Sequence, residues 1–262
     1  MLSFDLHKRK FLTVFLLLLF AWSLMGVNWR EGVMHSSGIG TAAEIFAAMF
    51  TPDLSLDILL LAVESSWLTL AYATAGMSLA LILALIFGIL ASGVLSSGKH
   101  SRTLMKGSFR GVLGFMRAIH ELVWAWLFVA SFGLSPYAAI FALVIPYGGI
   151  LGRIFADMIN DVPEEPIKAL RATGASRLQC LFYGYLPSVK NSMISYTMYR
   201  YECAVRSSAI MSFVGLGGLG YQIQLSLDDL LYDEVWTFLY FLIILVVVID
   251  GWSNMLRRRM AQ

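Results

Sequence analysis

Charge is scarce in this sequence. Only 14% of its 262 residues are Asp, Glu, Lys or Arg, where a soluble domain carries roughly a quarter. Cysteine is scarcer still: Cys180 and Cys203 stand alone, without a CxxC or a Cys/His cluster. That excludes a disulfide framework and a zinc site. The four histidines (His7, His35, His100, His120) are scattered and none belongs to an HExxH. There is no GxSxG and no GxxxxGK[ST], so neither a hydrolase nucleophile elbow nor a phosphate loop is present. A formal charge of +2 is too small to suggest a nucleic-acid partner. A soluble enzyme and a secreted scaffold are excluded on the same grounds.

What the chain has instead is apolar length. Hydrophobic residues make up 58% of it and the mean hydropathy is +0.73. A bilayer-spanning helix needs about 20 mostly apolar residues, and six runs approach or exceed this: 11–27, 68–95, 112–132, 137–155, 189–214 and 235–255. Pro146 predicts a kink in the fourth. The first run follows His7-Lys8-Arg9-Lys10, a pattern shared with cleaved signal peptides, and Ala21-Trp22-Ser23 loosely resembles a cleavage site. A retained anchor fits better, because the later spans require the N-terminus on the basic side. The expectation is one all-α, polytopic membrane domain over 1–262 with six transmembrane helices.

Loop charges orient it. Fifteen of the nineteen Lys and Arg residues fall in one set of segments: Lys8, Arg9 and Lys10; Lys99, Arg102, Lys106 and Arg110; Arg153, Lys168, Arg171, Arg177 and Lys190; and Arg257, Arg258 and Arg259. The opposite loops hold only Arg30, with Glu31, Glu44, Asp53 and Asp57 in the first and Asp228, Asp229, Asp233 and Glu234 in the last. The positive-inside rule places both termini in the cytoplasm. Without an internal repeat, an inverted-repeat carrier gains no support.

Two stretches outside the spans are long enough to fold. In the first outer loop, 28–57, Thr41–Phe50 predicts a short helix. In the inner segment 157–190, Asp161 with Glu164 forms one capping box, Pro163 sits in the first turn, and Ser176 with Gln179 forms a second box. Between them Gly174 ends the first helix. An ordinary surface loop is the commoner reading of such a segment, but two short capped helices bent at a glycine favour a docking surface.

Ionisable residues also lie within spans, where they normally face a cavity or each other. Arg117, His120 and Glu121 share one helical face if the third span is continuous. In the fifth span Glu202 and Arg206 are one turn apart, close enough to pair, and Arg200 adds a second cation. Structural pairing, either Glu202–Arg206 or Glu121 with an arginine of the fifth span, competes evenly with a polar path for an anion. Tyr196, Tyr199 and Tyr201 add polar tips nearby. Gly215-Leu-Gly-Gly-Leu-Gly220 satisfies GxGxxG, but it leaves a membrane span without a preceding strand. It is therefore an irregular turn or a close-packing site, not a dinucleotide loop.

Lys168-Ala169-Leu170, then Gly174, then Leu186-Pro187 resembles the EAA loop of ABC importer permeases. Lys168 stands where that loop usually has Glu, and Gly184 where it usually has Ile. Arg117-Ala-Ile-His-Glu-Leu-Val-Trp, Ala169-Leu-Arg-Ala-Thr-Gly-Ala-Ser, Ser195-Tyr-Thr-Met-Tyr-Arg-Tyr-Glu-Cys-Ala-Val-Arg-Ser and Val214-Gly-Leu-Gly-Gly-Leu-Gly-Tyr are similar to blocks of phosphonate importer permeases, with His120 where a proline is more usual.

The resemblance implies a type I ABC importer permease in a bacterial inner membrane, carrying a phosphonate or a relative such as phosphite. Its partners would be a second copy, a periplasmic or lipid-anchored binding protein, and a cytoplasmic ATPase dimer that supplies ATP and Mg, with no cofactor on this chain. Glu165, Lys168, Ala169, Leu170, Gly174 and Ala175 would couple to the ATPase. Arg117, His120, Glu121, Tyr199, Arg200, Glu202 and Arg206 would line the substrate path, and Gly215, Gly217, Gly218 and Gly220 would gate or pack near its outer mouth. The competing reading is a proton-coupled secondary carrier relaying through His120, Glu121 and Glu202; a membrane-embedded enzyme is a weaker third.

Overall fold

The computed structural model describes residues 2–26 and 38–260. Arg30, Glu31 and the end of the first apolar run at Val27 lie outside the described residues. The chain divides into two units, residues 1–47 and 48–262. The first holds α1 (Leu2–Met25), apolar over Lys10–Met25, and α2 (Gly38–Ala48), which begins a turn earlier than the sequence predicts.

The second unit is built around two helices that pack through small residues. In α3 (Leu56–Ser92) the buried face runs Ala73, Gly76, Ala80, Ala84, Gly88 and Ala91, at the three- and four-residue spacing of one helical stripe. In α6 (Pro136–Asn160) Gly148 and Gly152 answer it, while Gly149 faces α4. Small side chains let helix backbones approach, the usual way apolar spans associate where no water drives them together. A Cβ on Gly88 would stand 3.0 Å from the Gly152 carbonyl oxygen, and one on Gly76 would stand 2.8 Å from Leu143 Cβ. The helix α6 runs through Pro146 as a single element.

Two expected spans differ from their outline. The second begins at Leu56, not Leu68, and ends at Ser92, where Gly93 turns the chain at φ 71°. Asp57 made the stretch look like loop, but a carboxylate in the first turn suits a helix N-terminus. The third is two helices, α4 (Lys99–Ala118) and α5 (Glu121–Phe132), bent by 85°.

Beyond α6 come α7 (Glu164–Ala172) and α8 (Arg177–Cys180), then a π-helical turn at Leu181–Tyr185. This runs into α9 (Leu186–Met211), followed by α10 (Leu219–Asp228) and α11 (Tyr232–Met260). Among the described residues, α3, α6 and α11 are each long and apolar enough to cross a bilayer. Counting α4 with α5, and 177–214 with α10, as bent crossings makes five.

Candidate functional site

The break between α4 and α5 is made by His120. Its backbone is extended (φ −65°, ψ 146°), and its Nδ1 accepts from the Leu122 N–H at 3.2 Å, so it N-caps α5. Arg117 closes α4 and Glu121 opens α5, so the three residues do not share one helical face. A histidine cap inside an apolar stretch carries no strong sequence signal, which is why the span reads as continuous.

Glu121 reaches inward from this corner. Ser207 Oγ on α9 donates to Glu121 Oε1 at 2.6 Å, and Tyr147 on α6 meets the same Ser207 oxygen at 2.9 Å. With the Ser207 proton committed to the carboxylate, the Tyr147 hydroxyl is the donor to Ser207. His120 Nε2 lies 3.7 Å from the other Glu121 oxygen. A polar chain thus ties α5, α9 and α6 together. Glu121 takes a serine rather than an arginine of the fifth span. Neither Ser207 nor Tyr147 stands out in the sequence, where both read as ordinary span residues.

The predicted Glu202–Arg206 pair does not form. Glu202 is buried and accepts from Arg257 of α11 at 2.8 Å, while Arg257 also donates to Asn254 at 2.7 Å. Residues at i and i+4 can meet, but Glu202 turns toward α11 and Arg206 stands exposed, donating to Cys203 Sγ at 4.0 Å. Arg257 sits in a basic tail whose first meaning is topological, so its inward role depends on the packing of α11 on α9. With Glu202 committed to Arg257, His120, Glu121 and Glu202 form no single relay.

The exposed side of α9 is polar. Arg200 donates to the Tyr196 hydroxyl through Nε (2.9 Å) and Nη2 (2.7 Å), and its guanidinium lies 5.2 and 5.4 Å from the Tyr196 and Tyr199 ring centres. Tyr199, Arg206 and Ile210 are exposed along the same helix. Arg117 is exposed as well, and among the described residues Arg117, Arg200 and Arg206 make no ion pair.

The glycine run forms the corner between α9 and α10. Gly215, Gly217 and Gly218 have φ of 87°, 79° and 93°, a region other residues enter at a cost. Gly220 is needed for a different reason: any Cβ there would overlap the Ala209 carbonyl. Thr69 of α3 pins the corner, its Oγ1 accepting from Leu219 N–H at 3.0 Å while its carbonyl accepts from Ser208 Oγ at 2.9 Å.

In the inner segment only the second capping box is present. Ser176 Oγ accepts from Gln179 N–H and the Gln179 side chain accepts from Ser176 N–H. The first fails because Pro163, not Asp161, occupies the N-cap of α7, and Asp161 ends α6. Gly174, at φ 86°, closes α7 with two hydrogen bonds, from its own N–H to the Arg171 carbonyl and from Ala175 N–H to the Leu170 carbonyl. This is the Schellman arrangement that favours glycine.

On α7, Glu165, Ala169 and Ala172 form an exposed stripe. Lys168 lies on another face, 2.7 Å from Glu164, and this contact holds the Glu164 carboxyl below the usual carboxylate range. Ile167 and Leu170 pack on the π-turn, where a Cβ on Gly184 would come within 2.6 Å of one and 2.9 Å of the other. An isoleucine there would require both to move.

Several known proteins are similar to this chain in sequence or in fold. HtxC of Stutzerimonas stutzeri, named as a phosphite transport system permease, is 32% identical over 96% of this chain and 87% of its own length. The phosphite transport system permease PtxC of the same organism is 29% identical over 88% of this chain and 83% of its own. An inward-facing structure of the MetNI methionine ABC transporter superposes with a TM-score of 0.70, at 22% identity, over 80% of this chain and all of the matched one. The family model for the inner membrane component of binding-protein-dependent transport systems matches residues 84–262. The chain belongs to the family of binding-protein-dependent transport system inner membrane components.

Proposed function

We propose that this chain is the membrane-spanning subunit of an ATP-driven importer for phosphite or a closely related phosphorus oxyanion such as a phosphonate. The observation that carries the reading is the similarity to phosphite permeases along 96% of the chain. The surplus of cation on the exposed side of α9 and at the end of α4 fits an anionic substrate. Among the described residues Arg117, Arg200 and Arg206 have no carboxylate of their own, and unpaired charge at membrane depth calls for a partner or a wet cavity.

In this reading a second copy covers the exposed face of α9, and the anion passes between the two along Arg206, Tyr199 and Arg200. The His120–Glu121 corner borders that path. The basic ends of the helices face the cytoplasm. There the Glu165/Ala169/Ala172 stripe and the Gly174 turn dock on a dimeric ATPase, which holds ATP and Mg. Closure of the ATPases opens the path outward, the external binding protein releases the anion, and hydrolysis returns the path inward. No space-filling neighbour lies within 4 Å of a Cβ on Gly174, so a side chain there acts through backbone strain and the docked partner alone.

The test is uptake by the assembled complex in vesicles, with phosphite, a phosphonate and phosphate in competition. ATP-dependent uptake of phosphite or the phosphonate, lost in Gly174→Asp while the permease still inserts, is expected. Uptake driven by a proton gradient without ATP, or no competition among these anions, would refute the proposal.

A further inference from the structure

A basic cavity of about 390 Å³ opens between the α3–α4 corner and α7. Lys99, Arg102, Lys168, Arg171 and Arg177 line it against one carboxylate, Glu164. Two of the five cations are already engaged. Lys168 pairs with Glu164, and Arg177 donates to the Leu95 and Ser97 carbonyls at 3.4 and 3.1 Å. Lys99, Arg102 and Arg171 make no ion pair among the described residues.

The surrounding backbone adds to the imbalance. Gly98 caps α4 without a side-chain acceptor, so the positive end of that helix lies beside Lys99 at the cavity wall. The Arg102 stem lies over Gly93 at the point where the chain leaves α3, so its position is set by the corner itself. Five cations share the single Glu164 carboxylate in a concave wall, and the three without an ion pair repel one another unless an anion joins them. Guanidinium groups suit the planar, forked recognition of phosphate oxygens, and a lysine suits a point contact. The site also lies at the end of an apolar span, where basic pockets meet lipid headgroups.

We infer that this cavity binds a phosphate-bearing anion, held by Arg102 and Arg171 with Lys99 as the third charge. The ligand bridges the α3–α4 corner to the Glu164/Lys168/Arg171 face of α7 and thereby steadies the neighbouring stripe, Glu165/Ala169/Ala172. The same chemistry is supplied by an anionic phospholipid headgroup or by free phosphate. The inference does not depend on which anion is transported.

The experiment measures the thermal midpoint of the detergent-purified complex during titration with inorganic phosphate and, separately, with short-chain phosphatidylglycerol, potassium chloride holding the ionic strength constant. At least one probe should raise the midpoint saturably. Half-saturation should move at least tenfold in Arg102→Gln/Arg171→Gln and stay in place in Arg258→Gln, which removes a cation from the other basic end. Saturation by phosphatidylglycerol alone assigns a lipid headgroup, and saturation by phosphate alone assigns the free ion. No saturable rise with either probe, or one that the double variant retains, overturns the inference. If the double variant does not assemble, Lys99→Gln on the exposed first turn of α4 should shift half-saturation about threefold; a wild-type value overturns it equally.

Discussion

The helices α6 and α9 lie in the same bundle and satisfy themselves in opposite ways. In α6, glycine and alanine meet the backbones of α3 and α4: a Cβ on Gly149 would stand 2.8 Å from Met116 Cβ and 3.0 Å from the Leu113 carbonyl oxygen. Its middle is sealed by this chain alone. Half of α9 is satisfied internally, through Glu202 with Arg257 and Ser207 with Glu121, and the other half exposes Tyr199 and Arg206. The contrast separates two jobs. Close small-residue packing makes a scaffold whose contacts are complete, whereas the exposed cation of α9 is, in the proposed reading, left for a second copy and the anion.

The largest effect on stability should come from the charge that α9 buries. Glu202→Gln removes one partner of a mostly buried ion pair and leaves Arg257 uncompensated, a loss of about 3 kcal/mol. Adding Arg257→Gln should recover most of the loss in thermal unfolding of the purified complex, because no lone charge remains. If the single variant is as stable as wild type, the internal half of α9 is not held by this pair.

Next comes the scaffold. Gly149→Ala forces a methyl against α4 backbone atoms and should cost about 2 kcal/mol, read as a lower unfolding midpoint. Gly107→Ala, in the middle of α4 with nothing within 4 Å of the new methyl, is its clash-free control and should raise stability by up to about 1 kcal/mol. Ser207→Ala should cost about 1 kcal/mol by breaking the bridge between Glu121 and Tyr147, with Tyr147→Phe adding little once the serine is gone. An additive double variant would mean that the two bonds do not form one chain.

The smallest change in stability should come from the exposed half. Arg206→Gln should alter unfolding by no more than about 0.5 kcal/mol, as surface substitutions do, yet lower uptake at least tenfold. Full uptake at normal abundance would remove Arg206 from the path and dissolve the division of α9 into two halves.

Much of this was legible from local pattern. Apolar length marked the helical regions, although six spans were expected and the described residues hold three helices long enough to cross, or five with the bent pairs. The Ser176/Gln179 box and the Gly174 stop were readable because capping is decided within a few residues of backbone. The glycine run was recognisable as a corner or packing site, and it is both. The break at His120 was not readable, since the residues on either side are as helical by composition as their neighbours. The N-terminal limit of α3 was obscured because a carboxylate in a first turn looks, in a list of charges, like a loop.

Sequence alone determined the class: an all-helical membrane chain with one basic set of segments and a capped, glycine-bent segment among them. These properties follow from hydrophobicity, charge and short-range hydrogen bonding, which act between near neighbours. Only the tertiary structure decided which charges meet. Glu202 finds Arg257 across 55 positions and Glu121 finds Ser207 across 86, because a side chain one turn away on the same helix is available only if both point to the same side. The packing of α9 against α11, α5 and α6 fixes that side. The basic α7 cavity arises in the same way, since the fold brings Arg171 beside Lys99 and Arg102 from the far side of α5 and α6.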